Sequence, residues 1–103
     1  MIIKIPFHNR FIMEIASGRK TKTTRSKRYG KVGDIFYLAG RKIKCEIMGT
    51  IKIPLKDIVE KYWRDEGFRS KEEMIGFWLT IHRKYEPEKK FWIHSFRRIQ
   101  GDS

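Results

Sequence analysis

One polar stretch of the chain combines hydroxyl and cationic side chains in an ordered pattern. It runs from Gly18 to Arg25 as Gly-x-Lys-Thr-x-Thr-x-Arg, and the basic run continues to Lys31 without an acid. Hydroxyls and cations that alternate along an extended backbone suit phosphate oxygens and the polar edges of a base. The candidate nucleic-acid-binding residues are Arg19, Lys20, Thr21, Lys22, Thr23, Arg25, Lys27 and Arg28. A solvated basic loop without a ligand is the alternative interpretation.

The same stretch contains a lysine and threonines that are candidates for nucleophilic chemistry. A threonine hydroxyl is a poor nucleophile until a base removes its proton, and a lysine is that base only when burial or nearby cations lower its pKa. The cations around Lys20 act in that direction. On a regular strand, however, Lys20 and Thr23 point to opposite faces. Both line one pocket only if the segment turns, for instance just after Gly18.

Charge and size indicate one basic folded domain, spanning residues 1–103. The chain has 24 Lys and Arg against 12 Asp and Glu, a net charge of +12, a pI near 10.1 and 40% hydrophobic residues. A folded domain this basic is most simply explained by a polyanionic partner, RNA or DNA. A membrane surface is less suitable, because no predicted helix combines a basic face with an exposed apolar one.

The few residues that bind metals or form disulfides are scattered along the chain. Cys45 is the single cysteine, so no internal disulfide can form and a reducing compartment is expected. The three histidines, His8, His82 and His94, have no paired spacing, so we expect no metal site and no cofactor. No apolar run approaches the roughly 20 residues of a membrane span, and the N-terminus is too short and too quickly charged for a signal peptide. We therefore expect a soluble cytoplasmic protein.

Apolar periodicity predicts the elements that position the polar stretch. In order, these are a strand at 2–5, a helix capped by Asn9 and ended by Gly18, strands at 35–39 and 43–53, a helix at 55–63, a second helix from the Ser70 and Glu73 capping box to about Tyr85, and a strand at 90–99. The aromatic stripe of the last helix, which includes Trp78, is assigned to core packing. Residues 100–103 are expected to fray.

The strand at 43–53 is the longest and decides the predicted fold class. It alternates apolar and polar residues, and Gly49 in its middle is typical of a bend that curls a sheet toward closure. Cys45 lies on its apolar face and is read as a small buried hydrophobe. With helices between the strands, the prediction is an α+β fold, a small mixed β-barrel flanked by helices.

Three segments resemble the ASCH family, small domains of the PUA-like barrel superfamily that are linked to RNA. Residues matching the family's Gly-x-Lys-x-x-Thr-x-Arg signature are Gly18, Lys20, Thr21, Thr23 and Arg25. The turn at 31–34 resembles the family's Gly-Asp entry to the next strand. The segment at 60–68 resembles a family helix that ends in Glu-Gly-Phe. The resemblance extends from about Pro6 to Arg98.

The resemblance implies a PUA-like barrel with a cleft lined by the basic stretch and closed by the turn at Glu66. Family members are assigned to RNA binding, to ribonuclease activity and, in one bacterial branch, to hydrolysis of the amide of acetylated cytidine. In that branch a lysine is the proton acceptor, a threonine the nucleophile and a glutamate the proton donor. By motif position these catalytic residues would be Lys20, Thr23 and Glu66.

Three functions stay open on the sequence. The favoured one is an RNA-binding module with a cleft for one nucleotide, in which Glu66 reads the edge of a base. The alternative is an enzyme that uses the same cleft, an amidohydrolase of acylated nucleosides or a ribonuclease. The third is an interaction protein that docks an acidic partner or the ribosome. Glu66 itself is either a helix-end carboxylate neutralised by a nearby cation or a group that crosses the cleft to Lys20 or Arg25.

Overall fold

The computed structural model describes residues 1–99, so the predicted frayed tail lies outside the described residues. The strands are β1 (Lys22–Arg25), β2 (Ile35–Leu38), β3 (Ile43–Pro54) and β4 (Lys90–Ile99), and the helices are α1 (Ile12–Ala16), α2 (Leu55–Tyr62) and α3 (Lys71–His82). A 3₁₀ turn, Asn9–Phe11, leads into α1.

The four strands form one antiparallel sheet in the order β1-β4-β3-β2. The register between β3 and β4 shifts between Ile47 and Gly49, which is a β-bulge at the predicted bend. The sheet curls there into a half-barrel, and the helices pack against it. The predicted α+β barrel with flanking helices is therefore confirmed.

Three local predictions are wrong. Residues 2–5 are not a strand but contribute one parallel bridge, Ile2 to Ile35, because Pro6 ends the segment before a ladder can extend. Asn9 does not cap the first helix, because it already lies inside the 3₁₀ turn that leads into α1. That turn is capped by His8, whose Nδ1 accepts from the Arg10 N–H at 3.2 Å. Helix α3 ends at His82 because Arg83 takes a left-handed conformation, φ 63°.

The core lies between the concave face of the sheet and the helices. Phe36, Cys45 and Ile47 contribute to it from the strands, and Leu55 and Ile58 from α2, all fully buried. Burial raises the pKa of the Cys45 thiol to about 11, so this side chain packs as a neutral hydrophobe, as predicted. No helix within residues 1–99 is long and apolar enough to cross a membrane.

The connection between α2 and α3 is bonded to the segment that enters β1. The Asp65 carbonyl accepts from the backbone N–H groups of Thr21 and Lys22, at 2.8 and 3.1 Å. Gly67, two residues on, has a φ of +95°, and a Cβ there would lie 3.1 Å from the Lys20 Cβ. The lysine side chain therefore packs directly against a turn that only glycine forms without strain.

We predict that Gly67→Ala destabilises the fold more than Gly18→Ala. Both glycines have positive φ, so alanine costs about 1–2 kcal/mol of backbone strain at either site. Only at position 67 does the new methyl also meet a neighbour, Lys20, whereas nothing lies within 4 Å at position 18. Urea denaturation of both variants measures the free energies of unfolding. Equal losses would contradict the close contact between the turn and Lys20.

Candidate functional site

A cavity of about 290 Å³ opens between β1, the turn at Glu66 and α3. It is lined by Pro6, His8, Phe11, Lys20, Thr23, Thr24, Arg25, Ser26, Tyr29, Glu66, Phe68, Met74, Phe77, Trp78, Ile81 and His82. Concave sites with a mostly apolar lining and a few polar groups are typical of small-ligand binding. The structure brings all three predicted catalytic residues, Lys20, Thr23 and Glu66, to this cavity.

Lys20 is buried with every proton of its ammonium directed at an acceptor. Its Nζ lies 2.7 Å from the Glu66 carbonyl oxygen, 2.9 Å from the Lys22 carbonyl oxygen and 3.5 Å from Glu66 Oε1. The residue is only 3% exposed, and the Nζ also lies 4.4 Å from the centre of the Phe11 ring. These contacts hold the amine at one place in the cavity wall.

A change of direction just before β1 allows Lys20 and Thr23 to share the cavity. The N–H groups of Arg19 and Lys20 both donate to the Glu14 carbonyl, and the regular strand begins only at Lys22. Strand alternation therefore does not relate Lys20 to Thr23. The predicted turn after Gly18 is present, and Gly18 has the left-handed φ of +83° that it requires.

Glu66 lies directly beside Lys20 in the cavity wall. It is 3% exposed and lies in the turn after α2, where its N–H donates to the Tyr62 carbonyl at 2.9 Å. Its Oε1 forms the ion pair with Lys20, and its Oε2 accepts from the Thr24 hydroxyl at 2.6 Å. The carboxylate is thus paired with Lys20, a contact that belongs to both interpretations of Glu66 that the sequence left open.

Burial dominates the protonation behaviour of this pair. It lowers the pKa of Lys20 to about 8, against the opposing effect of the Glu66 charge and with a further lowering by Arg25. Burial also raises the pKa of Glu66, against the stabilising charge of Lys20 and the hydrogen bond from Thr24. An amine and a carboxyl whose pKa values approach each other are suited to exchange a proton near neutral pH.

Thr23 is held from two directions. Its Oγ1 accepts from Arg25 Nε at 3.4 Å, and the Arg25 guanidinium lies 4.9 Å from the Phe7 ring centre. On the other side, fully buried His94 accepts the Tyr29 N–H at its Nε2 and therefore directs its Nδ1–H at the Thr23 carbonyl, 3.4 Å away. Burial lowers the pKa of His94, which keeps the ring neutral in this role.

Helix α3 supplies an apolar wall to the same cavity. The Trp78 ring stacks on His82 at 4.0 Å between centroids and meets Phe91 edge-on at 4.9 Å. Trp78 is 7% exposed, so it packs in the core as predicted. Its remaining surface nevertheless faces the cavity, together with Phe77 and Ile81. This wall can accept the flat or apolar part of a ligand.

The structure places the predicted nucleic-acid-binding residues in three different environments. Lys20, Thr23 and Arg25 line the cavity. Lys27 and Arg28 are exposed. The Lys27 Nζ lies 4.8 Å from the Tyr29 ring centre, and the Arg28 Cζ lies 5.7 Å from the Trp92 ring centre. The remaining three are engaged elsewhere: Arg19 pairs with Glu14 at 3.0 Å, Thr21 bonds to the Asp65 carbonyl, and Lys22 donates to Ser95 Oγ at 2.8 Å.

Sequence reasoning missed Thr24 and His94. Nothing in the sequence separates Thr24 from the other threonines of the polar stretch, and its partner Glu66 is 42 residues away. His94 was considered only as a metal ligand. No local pattern marks either residue, because each contact is made only after the sheet has formed. Within residues 1–99, no group of three or more His, Cys, Asp or Glu side chains is placed to hold a metal ion.

A curled four-stranded sheet with flanking helices is the fold of an ASCH domain. The crystal structure of the ASCH domain from Lactobacillus crispatus matches 87% of the chain and 70% of its own length, with a TM-score of 0.62 and 15% identity. That likeness establishes the fold. No known family profile matches the chain.

Two curated proteins are similar in sequence to this chain over almost its whole length. The N(4)-acetylcytidine amidohydrolase of Citrobacter koseri is 36% identical over 100 residues, which cover 90% of this chain and 93% of that protein. The protein of the same name from Haemophilus influenzae is 32% identical over 104 residues, 92% of this chain and 94% of its own. The chain therefore belongs to the ASCH family of the N(4)-acetylcytidine amidohydrolases.

We predict that Glu66→Gln lowers the pKa of Lys20 below about 8. The carboxylate charge and its hydrogen bond are the contributions that raise this pKa against burial, and the amide removes the charge. The Cε carbon shift of selectively labelled lysine, followed by NMR against pH, measures the value. Glu60→Gln is the matched control, because Glu60 is an exposed carboxylate paired with Lys71. An unchanged or raised pKa in Glu66→Gln would refute the coupling.

Proposed function

We propose that this chain is an amidohydrolase that removes the acyl group from N4-acetylcytidine or a closely related acylated nucleoside. The observation that carries the proposal is the buried Lys20–Glu66 pair in the wall of a cavity that Thr23 also lines. The names of the two curated relatives support the same reaction. The apolar wall of α3 offers a surface for the base, and the polar groups lie across from it.

The proposed reaction proceeds through Thr23. Lys20 Nζ, as the free amine, takes the proton from Thr23 Oγ1 while the oxygen attacks the acyl carbon. Arg25 already donates to this oxygen and stabilises its developing negative charge. Glu66 gives its proton to the departing nitrogen, so that the C–N bond breaks and cytidine leaves. Water then attacks the acyl carbon of the threonine ester and gives a proton to the Glu66 carboxylate, while Lys20 returns its proton to Thr23 Oγ1. The carboxylic acid leaves, and Lys20 and Glu66 are again the free amine and the protonated acid.

This reaction needs the Lys20–Glu66 pair to contain one shared proton. The ion pair and its productive tautomer, neutral lysine with protonated glutamic acid, hold the same number of protons. Burial favours the neutral tautomer because it disfavours both charges. The Thr24 hydroxyl, 2.6 Å from Oε2, keeps the carboxyl oriented in either form. The productive form therefore exists between the two pKa values of the pair.

We predict that kcat/KM falls above about pH 8 in the wild type, because the pair then loses its single proton. It also falls on the acid side, where the pair gains a second proton. Residual activity of Glu66→Gln should instead rise with pH. In this variant Lys20 is the only titrating group of the pair, and the fraction of its free amine increases as the pH passes its pKa. Chromatography of cytidine released from N4-acetylcytidine measures both profiles.

Lys20→Arg is the control for charge. Arginine keeps the positive charge but does not lose a proton near neutral pH. Turnover by Lys20→Arg at the wild-type rate would exclude Lys20 as the base.

Binding of RNA is a second candidate function, favoured by the cations beside the cavity. Lys27 and Arg28 are exposed next to the aromatic faces of Tyr29 and Trp92, an arrangement that suits a phosphate backbone with stacked bases. The net charge of +12 supports attraction to such a polyanion. Single-stranded RNA would pass along this surface, and ribonuclease cleavage would be a variant reaction in the same cleft.

For this second function, we predict that replacing Lys27 and Arg28 together by alanine weakens the salt dependence of RNA binding. The slope of log affinity against log salt should become shallower by about 1.4, since each phosphate contact contributes about 0.7 on a single strand. Alanine at Arg41 and Lys42, exposed in the β2–β3 connection, changes the net charge equally and serves as the control. Fluorescence anisotropy with a short RNA gives both slopes. Equal slopes in the two variants would argue against a defined RNA track at Lys27 and Arg28.

A further inference from the structure

Strand β1 is the edge of the sheet that borders the cavity. It pairs with β4 on one side, and in the order β1-β4-β3-β2 no strand lies on its other side. An edge strand presents unpaired backbone N–H and C=O groups along its free side. Here that free side belongs to the site proposed above rather than to open solvent, because Thr23, Thr24 and Arg25 all line the cavity.

The hydrogen bonds around β1 determine which backbone groups face the cavity. The Thr21 carbonyl accepts from the Phe96 N–H at 2.9 Å and is therefore directed at β4, while the Thr21 N–H donates to the Asp65 carbonyl. The Lys22 N–H donates to the Asp65 carbonyl and the Lys22 carbonyl accepts from Lys20 Nζ, so position 22 is directed away from β4. Because the direction alternates along an antiparallel strand, the N–H and C=O of Thr24 also point away from β4.

Position 24 differs from position 22 in having no backbone partner. The two backbone groups of Lys22 are taken by Asp65 and Lys20, whereas no hydrogen bond from another part of residues 1–99 reaches the N–H or carbonyl of Thr24. Its side chain is committed, because the hydroxyl donates to Glu66. Thr24 is half-buried and lines the cavity. A donor in such a place is costly unless a ligand or water satisfies it.

We propose that the Thr24 N–H binds the acyl oxygen of the substrate and stabilises the oxyanion formed on attack. This inference rests on the proposed function and adds a further catalytic group to it. When the Thr23 oxygen bonds to the acyl carbon, the electron pair of the C=O bond moves onto the acyl oxygen, and the Thr23 proton passes to Lys20. The N–H of the next residue along the chain is fixed beside that oxygen.

Two further features of the site agree with this assignment. Lys20 Nζ is anchored on the Lys22 carbonyl, the neighbouring free-edge group, so the cation that Lys20 becomes lies close to the same oxygen. A backbone donor in a strand is already oriented, so no reorganisation accompanies the reaction. The ligand class is thereby narrowed to a planar amide or ester carbonyl that enters along the β1 edge.

The experiment compares Thr24→Pro with Thr24→Val. Both variants lose the hydroxyl that orients Glu66, but only proline also lacks the N–H. Proline is tolerated here, because its missing N–H faces away from β4 and the preceding Thr23 is already in an extended strand. We expect kcat for N4-acetylcytidine to be lower in Thr24→Pro than in Thr24→Val by about 10²- to 10³-fold. Equal kcat in two folded variants would overturn the inference.

A second measurement tests the hydrogen bond from the Thr24 N–H to the acyl oxygen directly. It also covers the case in which the proline variant does not fold. The chain is made by chemical ligation at Cys45, with the α-hydroxy acid of threonine at position 24, so that an ester replaces the N–H and the side chain is kept. The wild type should prefer the oxygen substrate over its thioamide analogue, because sulfur accepts a hydrogen bond less well. This preference should diminish in the ester protein. An unchanged ratio would refute the contact.

Equilibrium binding separates the failure of this inference from failure of the proposed function. If the wild type binds N4-acetylcytidine without hydrolysing it, the amidohydrolase proposal is wrong. Even then, a contact from the Thr24 N–H to the acyl oxygen should be visible in binding. Thr24→Pro should bind the nucleoside roughly three- to tenfold more weakly than Thr24→Val, and the ester protein more weakly than the wild type by the same factor. Identical affinities, or no binding by the wild type, would overturn the inference.

Discussion

The rest of the site depends on one buried ion pair, Lys20 with Glu66. Both side chains are almost fully buried, 2% and 4% exposed, and two charges removed from water are costly unless their remaining bonds are made. The lysine has three protons and three acceptors: two backbone carbonyls and the carboxylate. The carboxylate has one oxygen on the lysine and the other on Thr24. Neither charge is left without partners.

The need for partners on both buried charges explains how the backbone is arranged around the pair. The carbonyls that receive the ammonium belong to Lys22 and Glu66, so the start of β1 and the turn after α2 must lie together. The Asp65 carbonyl joins the same two segments through a second set of bonds, and Gly67 removes the Cβ that would displace the lysine stem. The bulge at Gly49 lies further away, where it curls the sheet that has β1 as an edge strand. The start of β1 and the turn after α2 therefore together hold the Lys20 amine in place.

Local patterns predicted the parts of this support that local forces determine. Alternation identified the strand at 43–53 and its bend at Gly49, and 3.6-residue periodicity identified α2 and α3. The strand predicted at 2–5 is absent, because four apolar residues do not specify the strand with which they would pair. Contacts between distant segments were beyond such patterns. The approach of Glu66 to Lys20 was anticipated only through the ASCH resemblance, and the roles of Thr24 and His94 were not anticipated at all.

The sequence favoured RNA binding over catalysis for a similar reason: the net charge can be read from the sequence, but the contacts of the buried site cannot. Net charge is a sum over the whole surface, and it contains no information about one amine that is buried and poised to lose its proton. A phosphate site gains most from exposed, permanently charged cations such as Lys27 and Arg28, whereas burial that lowers the pKa of Lys20 weakens it for that purpose. The same burial improves a base. The two sets of cations are therefore suited to different tasks: the exposed ones to attracting a polyanion, and the buried one to moving a proton within the cavity.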